Sequence, residues 1–98
     1  MHRGTTPTNI FRTDVDLTNA SVLFITYKQH DKVVLEKTID DVSIHGEMVE
    51  VRLSQRETLL FSEGIVTIQI RAKFQDGSVI ASSLIRTSAR EILKEGEI

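Results

Sequence analysis

Apolar and polar residues alternate in short runs along most of the chain, with the period of two that is typical of β-strands. The clearest pair of runs flanks Asp76-Gly77, where IVTIQIRAKF (65–74) precedes the dipeptide and SVIASSLIRTS (78–88) follows it. Asp-Gly between such runs predicts a β-hairpin with a two-residue turn, because both central residues tolerate the positive φ that the turn requires.

The two-residue turn would pair Gln75 with Ser78 and so fix the register of the whole hairpin. The predicted core face carries Val66, Ile68, Ile70, Ala72 and Phe74 on the first strand and Val79, Ala81, Ser83, Ile85 and Thr87 on the second. The predicted outer face carries Thr67, Gln69, Arg71 and Lys73 opposite Ile80, Ser82, Leu84 and Arg86.

Earlier runs predict five more strands, and one short helical turn connects them to the hairpin. The predicted strands span Asn9 to Thr13, Ser21 to Gln29, Lys32 to Ile39, Val42 to Ile44 and Met48 to Leu53. Ser54 and Glu57 have the spacing of a capping box, which predicts a helical turn that runs to about Phe61 and ends before Gly64.

This pattern predicts an all-β fold: an immunoglobulin-like antiparallel β-sandwich of about seven strands with one short helical turn between the fifth and sixth strands. Residues 1–8 are polar, contain the only proline, and are expected to form a flexible N-terminal arm, while residues 9–98 form a single β-sandwich domain. Residues 88–98 fit either a continuing strand or a second capped helix, and the sequence leaves both open.

The composition sets limits on the kinds of partner. The 98 residues include no cysteine and carry a formal net charge of −2, so neither a disulfide nor a thiolate metal site contributes, and no overall basic character favours nucleic acid. No apolar stretch is long enough for a signal peptide or a membrane span, so we expect no membrane partner.

Few residues suggest chemistry. His2, His30 and His45 lack the paired spacing of a zinc site. A calcium site would draw on the acidic turn residues Asp14, Asp16, Asp40 and Asp41. The simpler interpretation of these side chains is turn formation, and the chain has no nucleophile elbow or phosphate-binding loop. We therefore expect no enzymatic activity, no metal site and no cofactor.

The strand from Ser21 to Gln29 is apolar on both faces, which leaves two interpretations. Either a loop covers the second face, or that face docks to a partner. The docking interpretation assigns the surface to Leu23, Ile25, Tyr27, Ile80 and Leu84, which would bind another protein or a second copy in a homo-oligomer.

Two segments resemble a known family. DLTNASVLFITYKQHDKVVLEKTIDD and MVEVRLSQRETLLFSEGIVTIQIRAKFQDGSVI are similar to small virion-associated (tail and baseplate) proteins of Gram-positive bacteriophages and prophages, and in particular to the N-terminal domain of the phage upper baseplate protein family. The motifs that carry the resemblance are Asp16-Leu17-Thr18, Val22-Leu23-Phe24, Leu53 to Thr58, and the turn at Asp76-Gly77. The chain lacks the linker, coiled coil and receptor-binding domain that baseplate proteins usually add.

The resemblance implies a virion structural or assembly protein of the tail, baseplate or head, located in the virion after assembly in the host cytoplasm. Its partners would be other virion proteins, and no catalytic residues are implied. Two other classes remain as alternatives: a bacterial carbohydrate- or ligand-binding β-sandwich module, for which Tyr27 is the plausible aromatic platform, and a small metal-dependent enzyme.

Overall fold

The computed structural model describes all residues from Met1 to Ile98 and contains eight strands, one short α-helix and one 3-10 turn. In chain order, the elements are β1 (Thr8–Arg12), β2 (Ala20–Gln29), β3 (Lys32–Thr38), the 3-10 turn (Ile39–Asp41), β4 (Val42–His45), β5 (Met48–Arg52), α1 (Gln55–Thr58), β6 (Gly64–Phe74), β7 (Val79–Ala81) and β8 (Ile85–Ala89). The predicted all-β sandwich is confirmed, with eight strands rather than seven.

Two antiparallel sheets form the sandwich. The smaller sheet has the order β1-β5-β4, and the larger sheet has the order β3-β2-β6-β7, with β8 also paired to β6. In the strand letters of an immunoglobulin domain, β1 to β7 correspond to B, C, C′, D, E, F and G. The two sheets then have the immunoglobulin orders B-E-D and C′-C-F-G. No helical segment has both the length and the apolar composition needed to cross a membrane.

The core lies between the two sheets and is closed at one end by a loop residue, Phe61. Its buried members on the larger sheet are Leu23, Ile25, Tyr27, Val66, Ile68, Ile70, Ala72 and Ala89. The predicted alternation in β5 is confirmed, because Val49, Val51 and Leu53 are all buried. The ring of Tyr27 packs against that of Phe61 with 5.8 Å between centroids.

The predicted helical connector is also present. Ser54 is the N-cap of α1: its hydroxyl accepts from the backbone N–H of Glu57 at 3.1 Å, and the Glu57 carboxylate accepts from the backbone N–H of Ser54 at 2.8 Å. This reciprocal capping satisfies amide donors that the helix itself leaves free. The helix ends at Thr58, earlier than the predicted Phe61.

The register predicted for the Asp76-Gly77 hairpin is wrong in its first half. Phe74, not Gln75, pairs across the turn with Ser78: the N–H of Phe74 donates to the carbonyl of Ser78 at 2.9 Å. The loop therefore has three residues, Gln75 to Gly77, with Gly77 at a φ of 90°. This geometry combines a turn with a glycine bulge and uses the same Asp-Gly signal as a two-residue turn.

The one-residue shift exchanges the two faces of β7. Ile80 pairs with Ala72 and packs against the core, while Val79, predicted to be core, is 52% exposed. A break at Ser82 to Leu84 restores the predicted register, so Ile85 pairs with Ile68 in β8 as expected. The predicted continuous strand is thus two short strands.

The first eight residues contact the sandwich, in contrast to the predicted flexible arm. The backbone N–H of Arg3 donates to the carbonyl of Arg90, and that of Arg90 donates to the carbonyl of Met1, at 3.0 and 2.8 Å. This parallel pairing adds the N-terminal segment to the end of β8. Beyond Arg90 the C-terminal residues form neither of the predicted alternatives, strand or helix.

Candidate docking face

Three of the five predicted docking residues lie in the core, so the docking surface predicted from the sequence is wrong for them. Leu23 is 1% exposed, and Ile25 and Tyr27 are 0% exposed. The reason is their pairing with β6, whose buried residues Ala72, Ile70 and Ile68 lie directly opposite them. Side chains that are opposite each other in a sheet share a face, so the whole set points inward.

The remaining two predicted residues have different environments. Ile80 is half-buried against the core because of the shifted register, and it is therefore not available on the outer face. Leu84 is 51% exposed at the break between β7 and β8. The burial of Tyr27 also removes the aromatic platform on which the carbohydrate-binding alternative depended.

The exposed apolar residues of β2 are those on its other face. Val22 and Phe24 are each 40% exposed, and they lie opposite Lys73 and Arg71 of β6. On the far side of β6, Lys73 lies opposite Val79 and Arg71 lies opposite Ala81. Two rows of side chains therefore cross the sheet, each with a basic residue between apolar neighbours.

A further row crosses the same face near the β2–β3 turn. Lys28 lies opposite Thr67, which in turn lies opposite Arg86 of β8. Between these basic residues the surface forms an open groove of about 890 Å³, lined in part by Gln69 and Leu84. Most of the residues that line this groove are polar, and none of them is phenylalanine, tyrosine or tryptophan.

We call this outer surface of the larger sheet the basic face. It comprises the basic residues Lys28, Arg71, Lys73 and Arg86, the apolar residues Val22, Phe24, Val79, Ala81 and Leu84, and the polar residues Thr26, Thr67 and Gln69. None of its four basic side chains is in a salt bridge. Two carboxylates border it: Asp31 in the β2–β3 turn lines the groove, and Glu36 of β3 accepts from the Thr26 hydroxyl at 3.2 Å.

This local charge changes the argument made from net charge. A chain of net charge −2 has no overall basic character, yet it places four unpaired cations on one side of one sheet. The outer position of Arg71 and Lys73 was predicted from the hairpin, but their neighbours Val22 and Phe24 were missed. The missing information was the pairing of β2 with β6, which decides which face of β2 is exposed.

The titratable side chains with displaced pKa values are engaged in local structure. Hydrogen bonds from Thr18 and Ser78 hold the pKa values of Asp16 and Asp76 below their usual range, and the backbone N–H of Thr38 does the same for Asp41. These bonds close turns and cap the 3-10 turn.

A second group of polar side chains joins β3 to α1. Lys37 forms a salt bridge with Glu57, and their side chains are only 12% and 25% exposed. Burial opposes ionisation of Glu57, but the hydrogen bonds from Lys37 and Ser54 outweigh it and lower the pKa of the carboxyl. Nearby, the amide of Asn9 donates to the Tyr27 hydroxyl at 2.7 Å. These contacts fix the end of the sandwich beside α1.

The candidate metal ligands are dispersed. The structure brings together no group of three or more His, Asp or Glu side chains that could hold a metal ion. Asp14 and Asp16 lie in the loop before β2, whereas Asp40 and Asp41 lie in the 3-10 turn.

Comparison with known proteins gives no relative. No protein-family model, curated protein or solved structure matches the chain.

Proposed function

We propose that this chain is a non-catalytic structural or assembly protein of a bacteriophage or prophage virion, in the tail, baseplate or head, and that it docks to other virion proteins through the basic face. The observation that carries the docking role is the combination of exposed apolar residues with unpaired cations on that face. Apolar side chains supply favourable burial in an interface, and charges select the partner and the orientation.

The virion assignment draws on the family resemblance of the DLTNASVLF and MVEVRLSQRET segments. An immunoglobulin-like sandwich suits such a role because the core lies between the sheets, so an outer sheet face is free to bind without disturbing the fold. The non-catalytic character is supported by the local roles of Asp16, Asp41 and Asp76, whose carboxylates close turns or cap the 3-10 turn.

The first test asks whether the chain is part of a virus particle. Particles would be induced from a bacterium that encodes the chain, purified by density gradient and analysed by quantitative peptide mass spectrometry. We expect the chain in a fixed ratio to the major structural proteins. Its absence from purified particles that contain the other tail and head proteins would contradict the virion assignment.

The second test asks whether the basic face is the docking surface. A strain that carries the Arg71→Glu/Lys73→Glu variant should incorporate at least about tenfold less of the chain into particles, because the charge reversal repels the partner surface. The matched control is Arg52→Glu/Lys94→Glu, which changes the net charge equally at exposed positions outside the basic face. Equal incorporation of both variants would assign docking to another surface.

A further inference from the structure

One end of the sandwich is acidic. Asp14 and Asp16 in the β1–β2 loop, Glu47 in the β4–β5 turn and Asp76 in the β6–β7 turn are all exposed, and none is in a salt bridge. We call these four residues the acidic pole.

Backbone contacts hold these three connections together. The N–H of Thr13 donates to the carbonyl of Glu47 at 2.8 Å, and that of Leu17 donates to Gly46 at 2.9 Å. The pairing of Ala20 with Phe74 brings the β6–β7 turn alongside. Two cations border the pole: Arg12 donates to the sulfur of Met48, and Lys73 of the basic face lies next to the end of β6. Neither is in a salt bridge.

The acidic pole and the basic face point in different directions, because the first lies at an end of the sandwich and the second lies on a side. The molecule measures 47 × 25 × 17 Å, so an end of its long axis measures 25 × 17 Å. The basic face spans four strands and seven residues along β2, which is roughly 20 Å in each direction. The end and the basic face are therefore of similar size. The two surfaces match in size and have opposite charge, and no salt bridge joins them within one copy.

We propose that the basic face binds the acidic pole of a second copy of this chain. This inference builds on the docking face of the proposed function and names its partner. Because two different surfaces meet, the contact is heterologous, and repeated contacts form a ring or an open chain of subunits. The buried area of roughly 400 Å² per copy, or about 800 Å² in total, is below the usual range of specific interfaces, so a single contact is transient, weak and salt-dependent.

The apolar residues favour a protein partner over a phosphate polymer. Val22, Phe24 and Val79 lie beside Arg71 and Lys73, and apolar side chains gain nothing from contact with phosphates. A face that binds nucleic acid would instead have basic residues along the backbone path with few apolar neighbours.

Sedimentation velocity of the purified chain tests the inference directly. At ~20 mM NaCl we expect the average mass to rise with protein concentration up to ~1 mM, and at ~500 mM NaCl we expect a monomer, because salt screens the contact.

Arg71→Glu/Lys73→Glu and Asp14→Lys/Glu47→Lys should each weaken association at least about tenfold, whereas Arg52→Glu/Lys94→Glu should not. A mixture of the first two variants should recover association, because each retains one native surface.

Three results would overturn the inference. The first is a wild-type monomer at low salt up to the highest concentration. The second is association that both charge reversals leave unchanged. The third is binding of a fluorescent DNA duplex at low salt that is lost in Arg71→Glu/Lys73→Glu, which would assign the basic face to a phosphate polymer. Incorporation into particles is a separate measurement, so the docking function can stand when self-association fails. Circular dichroism of each variant verifies that the sandwich has folded.

Discussion

At the scale of single residues, Ser82 links the two halves of the terminal hairpin. Its backbone N–H donates to the carbonyl of Ile70 at 2.8 Å, and its side-chain hydroxyl accepts from the backbone N–H of Ile70 at 3.0 Å. The hydroxyl thus takes the place of a strand carbonyl where the pairing breaks between β7 and β8. A short polar side chain therefore permits the register change at this point.

Replacement of Ser82 by alanine should lower the free energy of unfolding by about 1–2 kcal/mol, because the N–H of Ile70 loses its acceptor in the interior of the sheet. Chemical denaturation measures this change. Ser83→Ala is the matched control, since the neighbouring side chain is exposed and should change stability by less than about 0.5 kcal/mol. Equal stability of the two variants would contradict the role given to the Ser82 hydroxyl.

Tyr27 gives a second prediction, and it is the only tyrosine in the chain. Burial raises its pKa from 10.0 to about 12, against the opposing effect of the hydrogen bond from Asn9. The folded protein therefore retains the phenolic proton more strongly than the unfolded chain does. The corresponding stability is fully present below pH 10 and is lost as the pH rises through about 12.

Ultraviolet absorbance of tyrosinate measures this titration. We expect a midpoint near 12 for the folded protein, and a midpoint near 10 for the same chain in denaturant. A folded-state midpoint near 10 would show that the phenol is open to solvent.

At the scale of elements, the sequence predicted the strands well, but not the register at the start of the terminal hairpin or the pairing of β2 with β6. The predicted bounds of β2, β5 and β6 differ from the observed bounds by one residue, because apolar alternation is a local property. The hairpin register was wrong because Gly77 at positive φ fits both a two-residue turn and a three-residue loop with a bulge. Local sequence does not distinguish these loops, although they expose opposite faces of β7.

The docking surface predicted from the sequence was wrong for a related reason. Leu23 and Ile25 on one face of β2 and Val22 and Phe24 on the other are all large and apolar, so alternation alone does not orient this strand. Its orientation follows from the β2–β6 pairing, which places Phe24 beside Arg71. A pairing between strands this far apart in sequence depends on tertiary structure, which the local patterns do not specify.

Gly77 tests the loop assignment. Gly77→Ala should cost about 1 kcal/mol, because a residue with a Cβ is strained at a φ of 90° even though the space around the position is open. Gln75→Ala in the same exposed loop serves as the control and should be nearly neutral. Thermal denaturation of both variants provides the comparison, and a neutral Gly77→Ala would refute the positive φ.

The Lys37–Glu57 salt bridge joins an edge strand to α1 and gives a prediction for Glu57→Gln. This variant should lose about 1–3 kcal/mol, because Lys37 is left largely buried without an anion and the cap is weakened. The depressed pKa means that the stabilisation is present above the unfolded value of 4.5 and is lost as the pH falls through the folded value.

Denaturation as a function of pH measures the Glu57 effect. The stability difference between wild type and Glu57→Gln should shrink as the solution becomes acidic. Glu63→Gln, at an exposed position beside β6, is the control and should behave like wild type at every pH. A stability difference that stays constant down to low pH would argue against the charge of Glu57 as its cause.

At the scale of the whole molecule, the N-terminal segment connects the two ends of the chain. Arg3 donates to the carbonyls of Leu59 and Phe61 in the loop after α1, and to the carboxylates of Glu91 and Glu95 at 3.2 and 2.9 Å. Its side chain is only 14% exposed. Residues 1–3 thus close one end of the opening between β1 and β8. Farther along this opening, a cleft of about 310 Å³ lies between Arg12 and Ile80.

Replacement of Arg3 by lysine tests whether this network holds the N-terminal segment in place. A single ammonium group cannot satisfy two backbone carbonyls and two carboxylates as the planar guanidinium does, so the segment should detach more often. Hydrogen exchange should become at least about tenfold faster at the N–H of Arg90, which donates to Met1, while the central β2–β6 pairs remain unchanged.

Arg52→Lys, at an exposed position in β5, is the control and should leave both regions unaffected. Faster exchange throughout both sheets would instead mean that Arg3 stabilises the whole sandwich, and no change at Arg90 would mean that the backbone pairing alone holds the segment.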